Sequence, residues 1–158
     1  MNWIQTKFKE LEEAQRAEQE RLAAEAREQN RRLALAAKAW EGLTAALRAD
    51  IEEYNAHPMA KRKLELRVSQ TPVVIEVYWK GTSRPLLQIS RPAGEATFTY
   101  SILSARNSGP GQYGGEIVPA AENEFQFGAS RERMQQDETV KLSPEQLSEE
   151  LLSPALFP

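Results

Sequence analysis

The apolar positions of this chain change rhythm along its length, and the rhythm divides it into three parts. Leu33, Ala36, Ala37, Trp40, Leu43, Leu47, Ile51 and Tyr54 recur in steps of three and four. That is the stripe of an α-helix packed against something. Trp3, Ile4, Phe8 and Leu11 share a face in the same way. Between these groups, Leu22 is the one large apolar residue of positions 12–32, with alanines at 14, 17, 23, 24 and 26. A heptad register through 4, 8, 11, 15, 18 and 22 puts Gln15 and Glu18 in the seam, too polar for a strong autonomous coiled coil.

Residues 2–56 contain no proline and one glycine, Gly42, and are dominated by the best helix formers. Asn2 suits the N-cap. Pro58 disfavours helical geometry at His57, so the helix is expected to end near Asn55 or Ala56. Glu12 and Arg16, and Glu28 and Arg32, stand at the favourable i,i+4 spacing. The pattern predicts one helix with an apolar tip, a polar shaft and an apolar base, roughly 80 Å long if unbroken at ~1.5 Å per residue.

From residue 62 to 103 the period becomes two. Leu64, Leu66 and Val68 alternate with polar residues, and so do Leu87 and Ile89, and Phe98, Tyr100 and Ile102. Val73, Ile75, Val77 and Trp79 alternate with Val74, Glu76 and Tyr78. Such runs read as half-buried strands. Their short connectors carry turn residues: Gln70-Thr71-Pro72, Gly81-Thr82-Ser83 and Pro92-Ala93-Gly94. A four-stranded antiparallel meander is the simplest topology. Its apolar face needs a cover, and the Trp40–Tyr54 stripe is the natural one. The glycine-rich stretch 107–115 reads as a long loop, with short strands to follow at 116–118 and 124–127. Ser143-Pro144-Glu145-Gln146 is a helix start, with Ser at the N-cap, Pro at N1 and Gln at N3. That helix is expected to end near Leu152, before Pro154, and to dock through Leu147 and Leu151.

The predicted fold class is therefore α+β. A long N-terminal helix (1–57) precedes a four- to six-stranded antiparallel meander with a Gly-rich loop at 107–115 (58–128). A polar connection and a short C-terminal helix follow (129–158).

Composition changes this picture little. Charged residues make up 27% of 158 and no cysteine is present, so disulfide staples, thiol nucleophiles and Cys-based zinc sites are excluded. No apolar run approaches the ~18–20 residues of a membrane span. The start of the chain lacks the apolar core of a signal peptide, and the expected location is cytoplasmic. Charge is more telling. Lys and Arg against Asp and Glu number 9 to 11 over residues 1–57, 8 to 3 over 58–106, and 3 to 9 over 107–158. The middle is basic and the tail acidic, and the tail is expected to lie against the middle.

Candidate chemistry is sparse. Asp50, Glu53 and His57 would share a helix face, but one histidine cannot complete a transition-metal site, and at a helix C-terminus it suits the dipole. The stretch from Gly109 to Gly115 lacks the Gly-Lys-Ser/Thr ending of a P-loop. No Gly-x-Ser-x-Gly elbow occurs. No catalytic residue, metal ligand or cofactor is assigned, and an enzyme is the least supported class.

Two groups suggest binding. Trp3, Ile4, Phe8 and Leu11 lie ~45 Å from Trp40 along an unbroken helix, beyond the reach of their own sheet. They form an apolar patch of the kind that marks an interaction site. Lys61, Arg62, Lys63, Arg67, Lys80 and Arg84, with Tyr113 of the loop, are the candidate contacts for an anion or ligand. The expected function is non-enzymatic association or scaffolding through the N-terminal helix. The expected assembly is a homodimer, antiparallel so that the tip of one helix covers the base or sheet of the other, with a different protein as the alternative partner. A helix broken near Asn30 and folded into a hairpin is the intramolecular competitor. A small ligand- or nucleic-acid-binding module using the basic sheet face is the second functional reading, and nucleic acid is disfavoured by the acidic balance of the chain.

Overall fold

The computed structural model describes residues 2–103, 112–127 and 140–157. The chain forms two units, Met1–Ala34 and Leu35–Pro158. Helix α1 runs unbroken over Trp3–Ala56, so no hairpin forms at Asn30. It starts as its sequence predicts: the Asn2 side chain accepts a hydrogen bond from the Ile4 backbone N–H (3.3 Å).

In the first unit α1 carries its own polar support. Lys7 pairs with Glu10 (2.9 Å), and Arg21 bridges Glu18 (2.5 Å) and Glu25 (2.7 Å). Glu28 holds Arg31 (2.8 Å) and Arg32 (3.2 Å). Such exposed pairs contribute only tenths of a kcal/mol each, but they are the stabilising contacts available to a helix with a polar shaft.

The second unit is the α+β domain. Among the described residues its sheet has seven strands, one or more beyond the expected number: β1 (Leu64–Gln70), β2 (Val73–Trp79), β3 (Leu87–Arg91), β4 (Phe98–Leu103), β5 (Gln112–Ala121), β6 (Glu124–Phe127) and β7 (Val140–Leu142). All neighbours are antiparallel and follow chain order, so the sheet is a meander with β1 and β7 at its edges. Register explains the core. Leu66 stands opposite Val77, Val77 opposite Leu87, and Leu87 opposite Ile102. One row up, Val68, Ile75, Ile89 and Tyr100 align across the same four strands. Because side chains alternate, these rows make one continuous apolar face.

The base of α1 and the second helix, α2 (Pro144–Leu156), bury that face. Trp40 meets Phe98 edge-on at 5.0 Å, and Tyr54 meets Trp79 at 6.2 Å. Leu43, Leu47, Phe98, Phe125, Leu147 and Leu151 are fully buried. The expected core set, from Trp40 to Tyr54 on one side and Leu66 to Tyr100 on the other, belongs to this one cluster. α2 docks through Leu147 and Leu151 as expected. Its Ser148 hydroxyl, itself buried, donates to the Asp50 carboxylate of α1 at 2.5 Å.

Three local expectations are corrected. Residues 112–115 of the expected Gly-rich loop belong to β5; residues 107–111 lie outside the described residues. Close approach explains the strand's glycines. A Cβ on Gly114 would collide with the Tyr100 carbonyl oxygen, and one on Gly115 would press on the Tyr100 ring at 3.2 Å. The seventh strand lies in a stretch with little apolar signal, and of its own three residues only Leu142 is buried. α2 continues through Pro154 to Leu156, because Leu152 and Ala155 are buried and Pro154 falls in the last turn, where it forfeits one hydrogen bond.

The junction of α1 and β1 protects the sheet edge. The Lys80 N–H donates to the Lys63 carbonyl (2.8 Å), so the alternate residues Leu64, Leu66 and Val68 turn their backbone groups outward. Asn55 closes the first of these positions. Its Oδ1 accepts from the Leu64 N–H (2.7 Å), and its Nδ2 donates to the Leu64 carbonyl (3.0 Å). One carboxamide thus copies the pairing of a neighbouring strand, a device that blunts an open edge. Asn55→Ala is expected to lower stability by about 1–3 kcal/mol through two unpaired backbone groups. It should also increase thioflavin-positive aggregation on mild heating, and a melting curve and aggregation rate equal to those of the unaltered chain would contradict the edge role.

Candidate functional site

The two groups singled out by sequence lie in different units. Trp3, Ile4, Phe8 and Leu11 all belong to the first unit and are 73%, 42%, 61% and 57% exposed. Leu22, farther along the same helix, is 51% exposed. Five large apolar side chains on one solvated helix are unusual, because helices take most of their stability from burying such residues.

Charge on this helix is tightly paired. The Glu28 carboxyl is held at about 2, from an ordinary 4.5, first by the hydrogen bond from Arg31 and then by that from Arg32. Arg21 lowers Glu18 in the same way. A carboxyl lowered on folding stabilises the helix fully above pH 4.5, and that contribution is lost as pH falls toward 2. Helicity of a peptide spanning residues 2–34 should therefore drop as acid is added across that window, and Glu28→Gln should flatten the drop. A profile unaffected by the substitution would show that the pairs do not support the helix.

The basic residues are divided by strand pairing. Lys61, Arg62 and Lys63 precede β1, and the Lys63–Lys80 backbone bond brings Lys80 to the same end of the β1–β2 hairpin. Arg84 lies in the β2–β3 connection. Arg67 sits on the opposite, open face of β1, so the expected group is not one site. Several of these cations already have partners. The Arg62 guanidinium lies 4.9 Å from the centre of the Trp79 ring, and the Lys63 ammonium donates to the Asn55 carbonyl. Arg67 pairs with Glu65 at 3.3 Å and lies 4.3 Å from the Tyr78 ring centre. Tyr78 in turn donates to Glu76 at 2.6 Å, and that bond, with burial, raises its pKa. Tyr113 pairs with Ile102 by its backbone, and its side chain lies outside the described residues.

Asp50 and His57 are also in structural use. Asp50 accepts from Ser148, and His57 Nδ1 accepts from the Met59 N–H (3.1 Å). Among the described residues, no three His, Cys, Asp or Glu side chains gather to hold a metal ion, and no helix is long and apolar enough to cross a membrane. Asn55 and the Glu76–Tyr78–Arg67 group escaped the sequence reading. Both depend on contacts between elements, and no local spacing announces them. Comparison with known proteins finds no matching family, curated protein or solved structure.

Proposed function

We propose that this chain is a non-enzymatic, cytoplasmic scaffold that associates with a second copy of itself through the N-terminal part of α1. The exposure of Trp3, Ile4, Phe8 and Leu11 on one helix face carries the proposal. A side chain of this size gains about 1.5–3 kcal/mol on full burial. A second helix supplies that burial, and it supports a polar shaft that is marginal alone. The α+β domain then travels as cargo on the assembly, so two domains are held together without chemistry on either.

The basic end of the β1–β2 hairpin supports the ligand reading less well. Arg62 covers Trp79, Lys63 ties down the helix end, and Arg67 is paired on the other face. Light scattering after size exclusion tests the proposal on the full chain. The expected mass at micromolar concentration is twice 17.8 kDa, and a monomer mass across that range would overturn it.

A further inference from the structure

We infer that the second copy runs antiparallel, with the two α1 helices symmetric about the Glu20–Arg21 peptide. This inference rests on the self-association reading and adds a register to the antiparallel orientation, with each tip on the partner's shaft near Leu33 and not on its base or sheet.

The first observation is the face an unbroken helix presents. At 3.6 residues per turn, the span from Phe8 to Leu33 returns to within about 20° of its starting angle, so the two residues lie on one line along α1. The straight stripe runs from Phe8 to Leu33 in steps of 3, 4, 4, 3, 4, 4 and 3. None of these eight positions is charged, Glu12 and Glu18 lie along the margins of the stripe, and all but the half-exposed Leu33 are exposed. These steps read the same in both directions. Reversing the helix about the midpoint of residues 20 and 21 therefore lays the stripe on itself. Phe8 then meets the partner's Leu33, Gln15 meets the partner's Ala26, and Gln19 meets the partner's Leu22.

The second observation is charge. Residues 9–20 carry five glutamates, one lysine and one arginine, and residues 21–32 carry four arginines and two glutamates. A parallel pair would set the acidic half beside the acidic half and the basic beside the basic. The antiparallel pair sets each beside its opposite, and like charges in juxtaposition disfavour the alternative.

The chain has no cysteine, so introduced thiols report cleanly. Gln15→Cys and Ala26→Cys are made in separately tagged full-length copies, each checked for mass by light scattering, then mixed and mildly oxidised. Neither position is a large apolar contact. In the antiparallel register the mixed disulfide should exceed either same-variant disulfide by roughly tenfold, because equivalent thiols lie ~16 Å apart along the pair against the ~4.4–6.8 Å Cα spacing a disulfide allows. Same-variant disulfides in excess would make the pair parallel, overturning the orientation and leaving self-association standing. Dimers that give no disulfide of either kind would overturn the register. A monomeric unaltered chain would overturn self-association, and the orientation with it.

Discussion

Leu47→Ala is expected to destabilise the α+β domain by about 2–5 kcal/mol. Leu47 is fully buried on the base of α1, in the cluster shared with Phe98, Phe125, Leu147 and Leu151. Alanine is the best helix former, so the substitution leaves helix propensity intact and isolates packing. The loss combines the transfer energy of the removed atoms with the cavity they leave. For a domain of this size, roughly 4 °C of melting temperature goes with each kcal/mol. Arg48→Ala, one residue away and exposed, is the control and should leave melting almost unchanged. A Leu47→Ala variant that melts with the unaltered chain would place the α1 stripe outside the core.

The same residues show why part of this fold is legible and part is not. The α1 stripe and β1 to β4 are written in local periodicity, and burial follows that periodicity. α2 announces its own start. The Ser143 hydroxyl accepts from Gln146 N–H (3.2 Å), while the Gln146 side chain accepts from Ser143 N–H (3.0 Å), the reciprocal cap its four-residue signature predicts. The failures share a different cause. Gly114 and Gly115 look like loop residues until the Tyr100 backbone and ring are placed against them. β7 has three residues and one inward side chain, too little for alternation to appear. Pro154 reads as a stop because the reading does not see Leu152 and Ala155 held by the core.

The candidate sites divide along the same line. The apolar tip is legible because its four residues are neighbours on one helix. The basic group is a unit only by charge, and strand pairing sends Arg67 to the open face while Lys61, Arg62, Lys63 and Lys80 gather at one hairpin end. Asn55 is invisible to sequence because its partner Leu64 lies across a turn and accepts and donates through its backbone alone.

Phe8→Asp is expected to convert the assembly to monomers. Phe8 is 61% exposed in the single chain, so its replacement removes little packing from the fold. The cost falls on the interface instead. Two copies of the substitution bury two carboxylates against apolar side chains, and an uncompensated buried charge costs about 3–5 kcal/mol. At ~1.4 kcal/mol for each tenfold in affinity, one such charge weakens a micromolar dimer at least a hundredfold. Light scattering at micromolar concentration should then return the monomer mass, with the melting of the α+β domain unchanged. Phe8→Leu keeps the apolar contact and should remain dimeric, which separates charge from any loss of the aromatic ring. Lys9→Asp, one residue on but off the stripe, also places a carboxylate on the tip, with a charge change of two units against one, and should still leave the mass at that of the dimer. If Phe8→Asp and Lys9→Asp behave alike, the tip of α1 is not the contact that joins the two chains.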